Sequence, residues 1–171
     1  MAVFDIEKFK TIIHFVVDNC EDKPNFGKTV LFKLLYFSDF NFYELYEEKL
    51  TGADYERRPF GPAPLKPEFD KSIEELEEEN AVIQKRVDFD DEVYQFRYFS
   101  LKKPDIHNLS EEEVEVITNV INKCSDMSAT RISDYSHEDL PWQATETGNI
   151  IDYELVFYRT PEFSVREYEE D

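Results

Sequence analysis

Four adjacent residues, Ser136-His137-Glu138-Asp139, include the side-chain types of a hydrolytic triad. A triad is assembled from separate chain segments, because nucleophile, base and orienting acid must line up in space. Four consecutive residues cannot meet that requirement by themselves. Two interpretations of His137 therefore stay open. It is a turn residue that hydrogen-bonds the backbone, or it is the centre of a hydrolase or metal-dependent enzyme that uses Glu138 or Asp139.

No metal-binding spacing accompanies this stretch. The three histidines, His14, His107 and His137, do not form a pair such as H-x-x-x-H. The two cysteines, Cys20 and Cys124, indicate free buried thiols in a reducing cytosol and not a disulfide framework. We therefore expect a cytoplasmic protein with no metal, no cofactor and no catalytic residue.

A second stretch, Gly27-Lys28-Thr29, has the residue types that end a phosphate-binding loop. That motif requires another glycine five residues before Gly27 and a strand in front of the loop. Position 22 is an aspartate, and the preceding segment has a helical pattern. The sequence therefore argues against a phosphate-binding loop.

The stretch from 26 to 64 supplies the element on which the other segments must pack. Its first part is apolar nearly all round, which is typical of a helix at the centre of a domain. Four polar residues interrupt it often enough to exclude a membrane span: Lys33, Asp39, Asn41 and Glu44. We expect a helix from about Lys28 to Lys49, ended by Thr51-Gly52.

Lys33 is unusual in this central helix, because a lysine is seldom fully buried unless it is paired. One interpretation places its stem on apolar neighbours and its ammonium group in water. The other pairs it with a carboxylate from a distant segment. We predict the pairing, with Glu138 or Asp139 as the partner.

The remaining segments predict more helices and a few strands. Amphipathic spacing predicts a helix from Asp5 to Cys20 with Asp5 as N-cap, and another helix from Pro67 to Asn80. Ser110 and Glu113 form a capping box for a further helix. The other expected elements are a strand at 54–58, a turn at 60–64, a hairpin of 82–89 and 93–99, a short helix from Ser128 to about Tyr135, and a helix or strand at 152–159.

The expected fold class is therefore α+β. We predict a helix-dominated single domain around a central apolar helix, with a β-hairpin or a small three-stranded antiparallel sheet. The sheet would have three strands if the strand at 54–58 joined the hairpin. Residues 1–160 would form the domain, and residues 161–171 an acidic, loosely ordered C-terminal tail.

The charge of the chain bears on its partners. Asp and Glu number 39 and Lys and Arg 19, which gives a formal net charge of −20. This argues against direct binding to nucleic acid, since lysine and arginine supply most phosphate contacts. It suits a partner with a basic surface. The candidate acidic partner face is Glu74, Glu75, Glu78 and Glu79, although a merely solvated helix face has the same pattern.

Two groups of residues, in order, resemble a known family. The first group is Lys33-Leu34-Leu35-Tyr36-Phe37 with Asp39, then Thr51-Gly52, Tyr55 and Phe60-Gly61-Pro62. The second is Leu109-Ser110, Ser128-Ala129, Ser136-His137-Glu138, Pro141-Trp142 and Gly148. Together they resemble the Panacea domain, the SocA-like antitoxin domain that is also described as GepA-like and phage-associated. Ala63 departs from the valine that many members carry after Gly-Pro.

The resemblance implies a role in a toxin–antitoxin system. Domains of this family neutralise toxins by direct binding, and an adaptor role that delivers the toxin to a protease is also associated with them. The family has no established catalytic residues. The motif residues carried over as candidate binding residues are Lys33, Tyr36, Gly61, Pro62, His137, Glu138 and Trp142. We expect most of them to build the fold, with Trp142 in the core.

Overall fold

The computed structural model describes residues 3–169. Its elements are, in chain order, α1 (Ile6–Cys20), α2 (Lys28–Tyr46), β1 (Tyr55–Arg58), β2 (Gly61–Pro64), α3 (Lys66–Glu78), β3 (Val82–Asp90), β4 (Val93–Ser100), α4 (Glu111–Cys124), α5 (Ala129–His137), α6 (Leu140–Gln143) and a 3₁₀ helix (Tyr153–Tyr158). The predicted α+β class with a dominant helical part is confirmed. Within residues 3–169, every helix is too short or too polar to cross a bilayer.

Helix α2 is the centre of the domain, as its composition predicts. It contacts α1, α4, α5, β2, β4 and the 3₁₀ helix. Most of its apolar side chains are buried, including Leu31, Leu34, Tyr36 and Phe40. Burial of this aromatic and aliphatic surface stabilises the fold.

The helix starts follow from local capping. The Asp5 carboxylate accepts a hydrogen bond from the Lys8 backbone N–H at 3.0 Å. Ser110 and Glu113 form the predicted capping box, and the Ser128 hydroxyl accepts from the Arg131 N–H at 3.1 Å. These three caps each satisfy N–H groups that a helix start leaves without a partner.

Helix α2 ends earlier than the glycine at position 52 predicts. Its cap is Glu47, which adopts the left-handed conformation with φ of 55°. The buried carboxylate of Asp39 then accepts from the Thr51 backbone N–H at 3.0 Å and from the Thr51 hydroxyl at 2.9 Å. Burial raises the pKa of Asp39 to about 6, although hydrogen bonds from Tyr55 and Thr51 oppose the rise. Asp39 thus holds the returning chain against α2.

The strands form two separate hairpins. β1 pairs with β2 in antiparallel register from Tyr55 opposite Pro64 to Arg58 opposite Gly61. β3 pairs with β4, so of the two expected arrangements the described residues form the hairpin and not the three-stranded sheet. Tyr98 at the base of the β3–β4 hairpin is buried, whereas Tyr94 nearer its tip is half exposed. Only the base of this hairpin therefore packs on the core.

Candidate functional site

The Gly61-Pro62 segment lies directly between α2 and α5. Gly61 has a φ of +117°, and a Cβ atom at this position would lie 2.5 Å from Lys33 Cε and 2.5 Å from Ser136 Oγ. Glycine fits because it tolerates this backbone conformation and has no side chain. Three of the motifs therefore meet here: the lysine of α2, the Gly-Pro of β2 and the serine before His137.

The ammonium group of Lys33 is buried at this junction. The side chain is 2% exposed, and its Nζ donates to the Pro62 carbonyl oxygen at 3.2 Å. The prediction that it pairs with Glu138 or Asp139 is wrong, because no carboxylate of residues 3–169 lies within 4.0 Å of it. Burial, and after it the nearby Arg58, lower the pKa of Lys33 to about 7.

This burial should make stability depend on pH. Between about 7 and the ordinary value of 10.5, the unfolded chain keeps the Lys33 proton and the folded chain does not. The free-energy cost of burying Lys33 is therefore greatest below about pH 7 and decreases as the pH rises toward 10.5. Relative to Lys33→Met, the wild type should gain about 2 kcal/mol of unfolding free energy from pH 7 to pH 9 in urea titrations. A difference that stays constant with pH would contradict the buried, unpaired ammonium.

A second buried cluster joins α2 to the end of the chain. Arg159 donates to both oxygens of Asp139, from Nε at 3.0 Å and from Nη2 at 2.8 Å. The Tyr36 hydroxyl donates to the same carboxylate at 2.8 Å. Nη1 of Arg159 donates to Glu44 at 3.0 Å and to Asn41 at 2.8 Å. The charged side chains of this cluster are at most 1% exposed. They therefore satisfy one another's charges and hydrogen bonds, as water would at the surface.

No local motif surrounds Arg159, so the sequence does not mark it as a site residue. The signal that it leaves is indirect: Glu44 interrupts an apolar helix, and a buried carboxylate needs a cation or several donors. Opposite charges more than 100 residues apart, such as Glu44 and Arg159, cannot be matched by spacing. Their pairing depends on the tertiary fold.

The segment after Pro161, expected to be loosely ordered, contacts this cluster as far as Tyr168. Ser164 and Tyr168 donate from their hydroxyls to Glu44, at 2.5 and 3.0 Å. Arg166 donates to the Glu44 carbonyl oxygen at 3.3 Å. Phe163 is buried against Tyr135. The last two residues of the predicted tail lie outside the described residues.

His137 and Trp142 stack on each other beside the junction. Their ring centroids are 4.2 Å apart with an interplanar angle of 16°, and the Arg57 guanidinium lies 3.8 Å from the Trp142 ring centroid. Arg57 also donates to the Thr145 carbonyl oxygen at 2.8 Å, which fixes it over the end of α6. Trp142 is half-buried, so it packs on the edge of the core and does not plug its centre.

The residues around His137 do not have the geometry that a hydrolase site requires. Asp139 binds Arg159 and Tyr36 and does not orient His137, while Glu138 is exposed. Burial lowers the pKa of His137, and its Nε2 has no hydrogen-bond partner among the described residues. No group of three or more His, Cys, Asp or Glu side chains within 3–169 is arranged to hold a metal ion.

The acidic face on α3 divides into two pairs. Glu74 and Glu78 are exposed on the surface. Glu75 and Glu79 accept from the buried ammonium group of Lys10, at 3.3 and 2.8 Å. Glu79 and Glu75 thus join α3 to α1, whereas Glu74 and Glu78 have no ion pair among the described residues.

These contacts describe an α+β domain in which the motif residues hold distant segments together. A family model, "Antitoxin SocA-like, Panacea domain", matches residues 31–143. Because this is more than half of the chain, the protein belongs to that family, as the motifs indicate. No curated protein and no solved structure matches the chain significantly. Arg159 and the segment that follows it lie beyond the matched residues.

Proposed function

We propose that this protein is a cytoplasmic antitoxin that neutralises a protein toxin by binding to it directly. Membership of the antitoxin family carries the proposal. The buried positions of Lys33, Tyr36 and Gly61 support a structural role for the shared motifs. Exposed residues elsewhere on the protein would then bind the toxin.

The exposed acids indicate what kind of toxin surface fits. Glu74 and Glu78 on α3 and Glu111 and Glu112 at the start of α4 are exposed in a chain of net charge −20. Exposed charge of one sign speeds association with a surface of the other sign. The proposed partner is a toxin with a basic surface, such as one that acts on nucleic acid, which the acidic face would cover.

Co-expression with the protein encoded by the adjacent gene tests the function. We expect that protein to arrest growth when expressed alone, and this chain to restore growth and to co-purify with it. A stable toxin level during rescue would indicate occlusion, whereas a shortened toxin half-life would indicate delivery to a protease. Rescue without a complex and without toxin loss would contradict direct binding.

The two pairs of acids on α3 should respond differently to charge reversal. Glu74→Lys with Glu78→Lys should slow toxin association by about tenfold at low salt, less at physiological salt, and leave stability unchanged. Glu75→Lys with Glu79→Lys should lower the unfolding free energy by roughly 2 kcal/mol, because it places two cations beside buried Lys10 and leaves Glu7 as its remaining partner, while water screens part of the effect. Stopped-flow association and urea titration measure the two effects.

If the rate of toxin association did not change with salt or with the Glu74/Glu78 charge reversal, the acidic face would contribute to solvation only. The Glu75/Glu79 variant is the matched control, since it carries the same change of charge on the same helix.

A further inference from the structure

A large cleft opens between the N-terminal turn of α2 and the two hairpins. Its volume is about 820 Å³, which is within the range of small-molecule binding sites. Val30, Phe32, Ala63 and Phe96 form apolar walls. Its rim includes Phe60, which is 75% exposed, and three residues of the β3–β4 hairpin that are at least half exposed: Phe89, Val93 and Tyr94.

The charge of the cleft is opposite to that of the protein. Aspartate and glutamate make up 39 of the 171 residues, yet neither occurs among the residues that line the cleft. Lys28, Lys33 and Arg58 all line it. The cleft is therefore a cationic site in an acidic protein, and its field favours an anion.

Two of these cations have no acidic partner. No carboxylate of residues 3–169 lies within 4.0 Å of Lys28 or Lys33, whereas Arg58 pairs with Glu56 at 2.6 Å. Lys28 Nζ lies over the Phe96 ring, 4.3 Å from its centroid. Lys33 donates one hydrogen bond, to Pro62, and an ammonium group has three N–H donors. Below its lowered pKa, Lys33 is an ammonium group whose two remaining N–H donors attract an anionic ligand.

The start of α2 adds to this attraction. Its cap residue, Gly27, has no side chain to accept from the first N–H groups, and its first turn has no acidic residue. These N–H groups and the helix dipole favour an anion at this end of the helix. The β3–β4 hairpin closes against the same turn, because a Cβ on Gly27 would lie 2.7 Å from Gln95 Nε2.

We propose that this cleft binds a small organic acid, with its carboxylate at Lys33 and Lys28 and an aromatic or branched aliphatic body against the apolar walls. A carboxylate on an apolar body fits better than a phosphate, because most of the lining surface is apolar and would stay uncovered by a small inorganic anion. The proposal does not depend on toxin neutralisation.

A set of aryl carboxylic acids, each matched with its primary amide, tests this site. Binding is followed at about pH 6, where Lys33 keeps its proton, by the backbone amide shifts of the ¹⁵N-labelled full chain. We expect acids to shift the signals of Gly27, Lys28 and Gly61, and each amide to bind at least about tenfold more weakly than its acid. Inorganic phosphate is the third probe and should bind more weakly than the acids.

Three variants locate the interaction. Lys33→Met should weaken binding of the acids by about tenfold. Phe60→Ala, a change at an exposed side chain that spares the fold, should also weaken binding of these aryl acids. Lys71→Met on the exposed surface of α3 is the matched control and should bind as the wild type does. The proposal is overturned if no probe shifts the cleft signals, if acids and amides bind equally, if phosphate binds best, or if Lys33→Met and Phe60→Ala both bind normally.

Discussion

Replacing Arg159 with methionine is expected to lower the unfolding free energy by about 3–5 kcal/mol, the cost of leaving buried carboxylates without their cation. Asp139 would lose two hydrogen bonds and Glu44 one, in a cluster from which water is excluded. Methionine keeps most of the side-chain volume, so the loss would come from charge and not from a cavity. Urea unfolding at neutral pH measures it.

Arg131→Met on the exposed surface of α5 is the control, and should change stability by less than about 0.5 kcal/mol. The double variant Asp139→Asn with Arg159→Met should recover part of the loss, because it removes one unpaired charge. A loss below about 1 kcal/mol for Arg159→Met would show that water replaces the arginine and that the cluster is not sealed.

Gly61→Ala is the second large effect, with an expected loss of about 2–4 kcal/mol from backbone strain and overlap together. The new methyl group would overlap Lys33 and Ser136, and Ser136 is held by its own hydrogen bond to the Ser133 carbonyl oxygen at 2.7 Å. The β1–β2 hairpin would have to move away from α2. Thermal and urea unfolding measure the loss.

Gly148→Ala separates strain from overlap. Gly148 also has a positive φ, +86°, but open space surrounds the position of its Cβ. Gly148→Ala should lower the unfolding free energy by about 1–2 kcal/mol, the cost of the backbone conformation alone. Equal losses at Gly61 and Gly148 would contradict close packing at the junction.

Local signals predicted the helices well. Residue type and spacing predict Asp5 as a cap and Ser110 with Glu113 as a capping box, and both cap a helix in the structure. The apolar density of α2 predicted its central position. These features depend on neighbouring residues in the chain, which a sequence displays directly.

Features that depend on distant contacts were not predictable in the same way. The partner of Lys33 proved to be the Pro62 carbonyl and not a carboxylate. Asp139, the predicted partner, pairs with Arg159 instead. Sequence shows that a buried charge needs a partner but does not show which of many distant groups reaches it.

The acidic face illustrates the same limit. The run from Glu74 to Glu79 correctly predicts a helix with an acidic exposed side. It does not show that Lys10 of α1 engages two of those acids. Acidic residues that could bind a partner and acidic residues that pair within the fold have the same composition here. Only their contacts in the structure distinguish them.

Hydrogen exchange of this protein with and without the co-expressed toxin tests direct neutralisation most directly. We expect slower exchange in peptides from the surface around α3 on formation of the complex, while α2, already buried, changes little. Unchanged exchange throughout residues 3–169, under conditions in which the protein restores growth, would contradict neutralisation by binding.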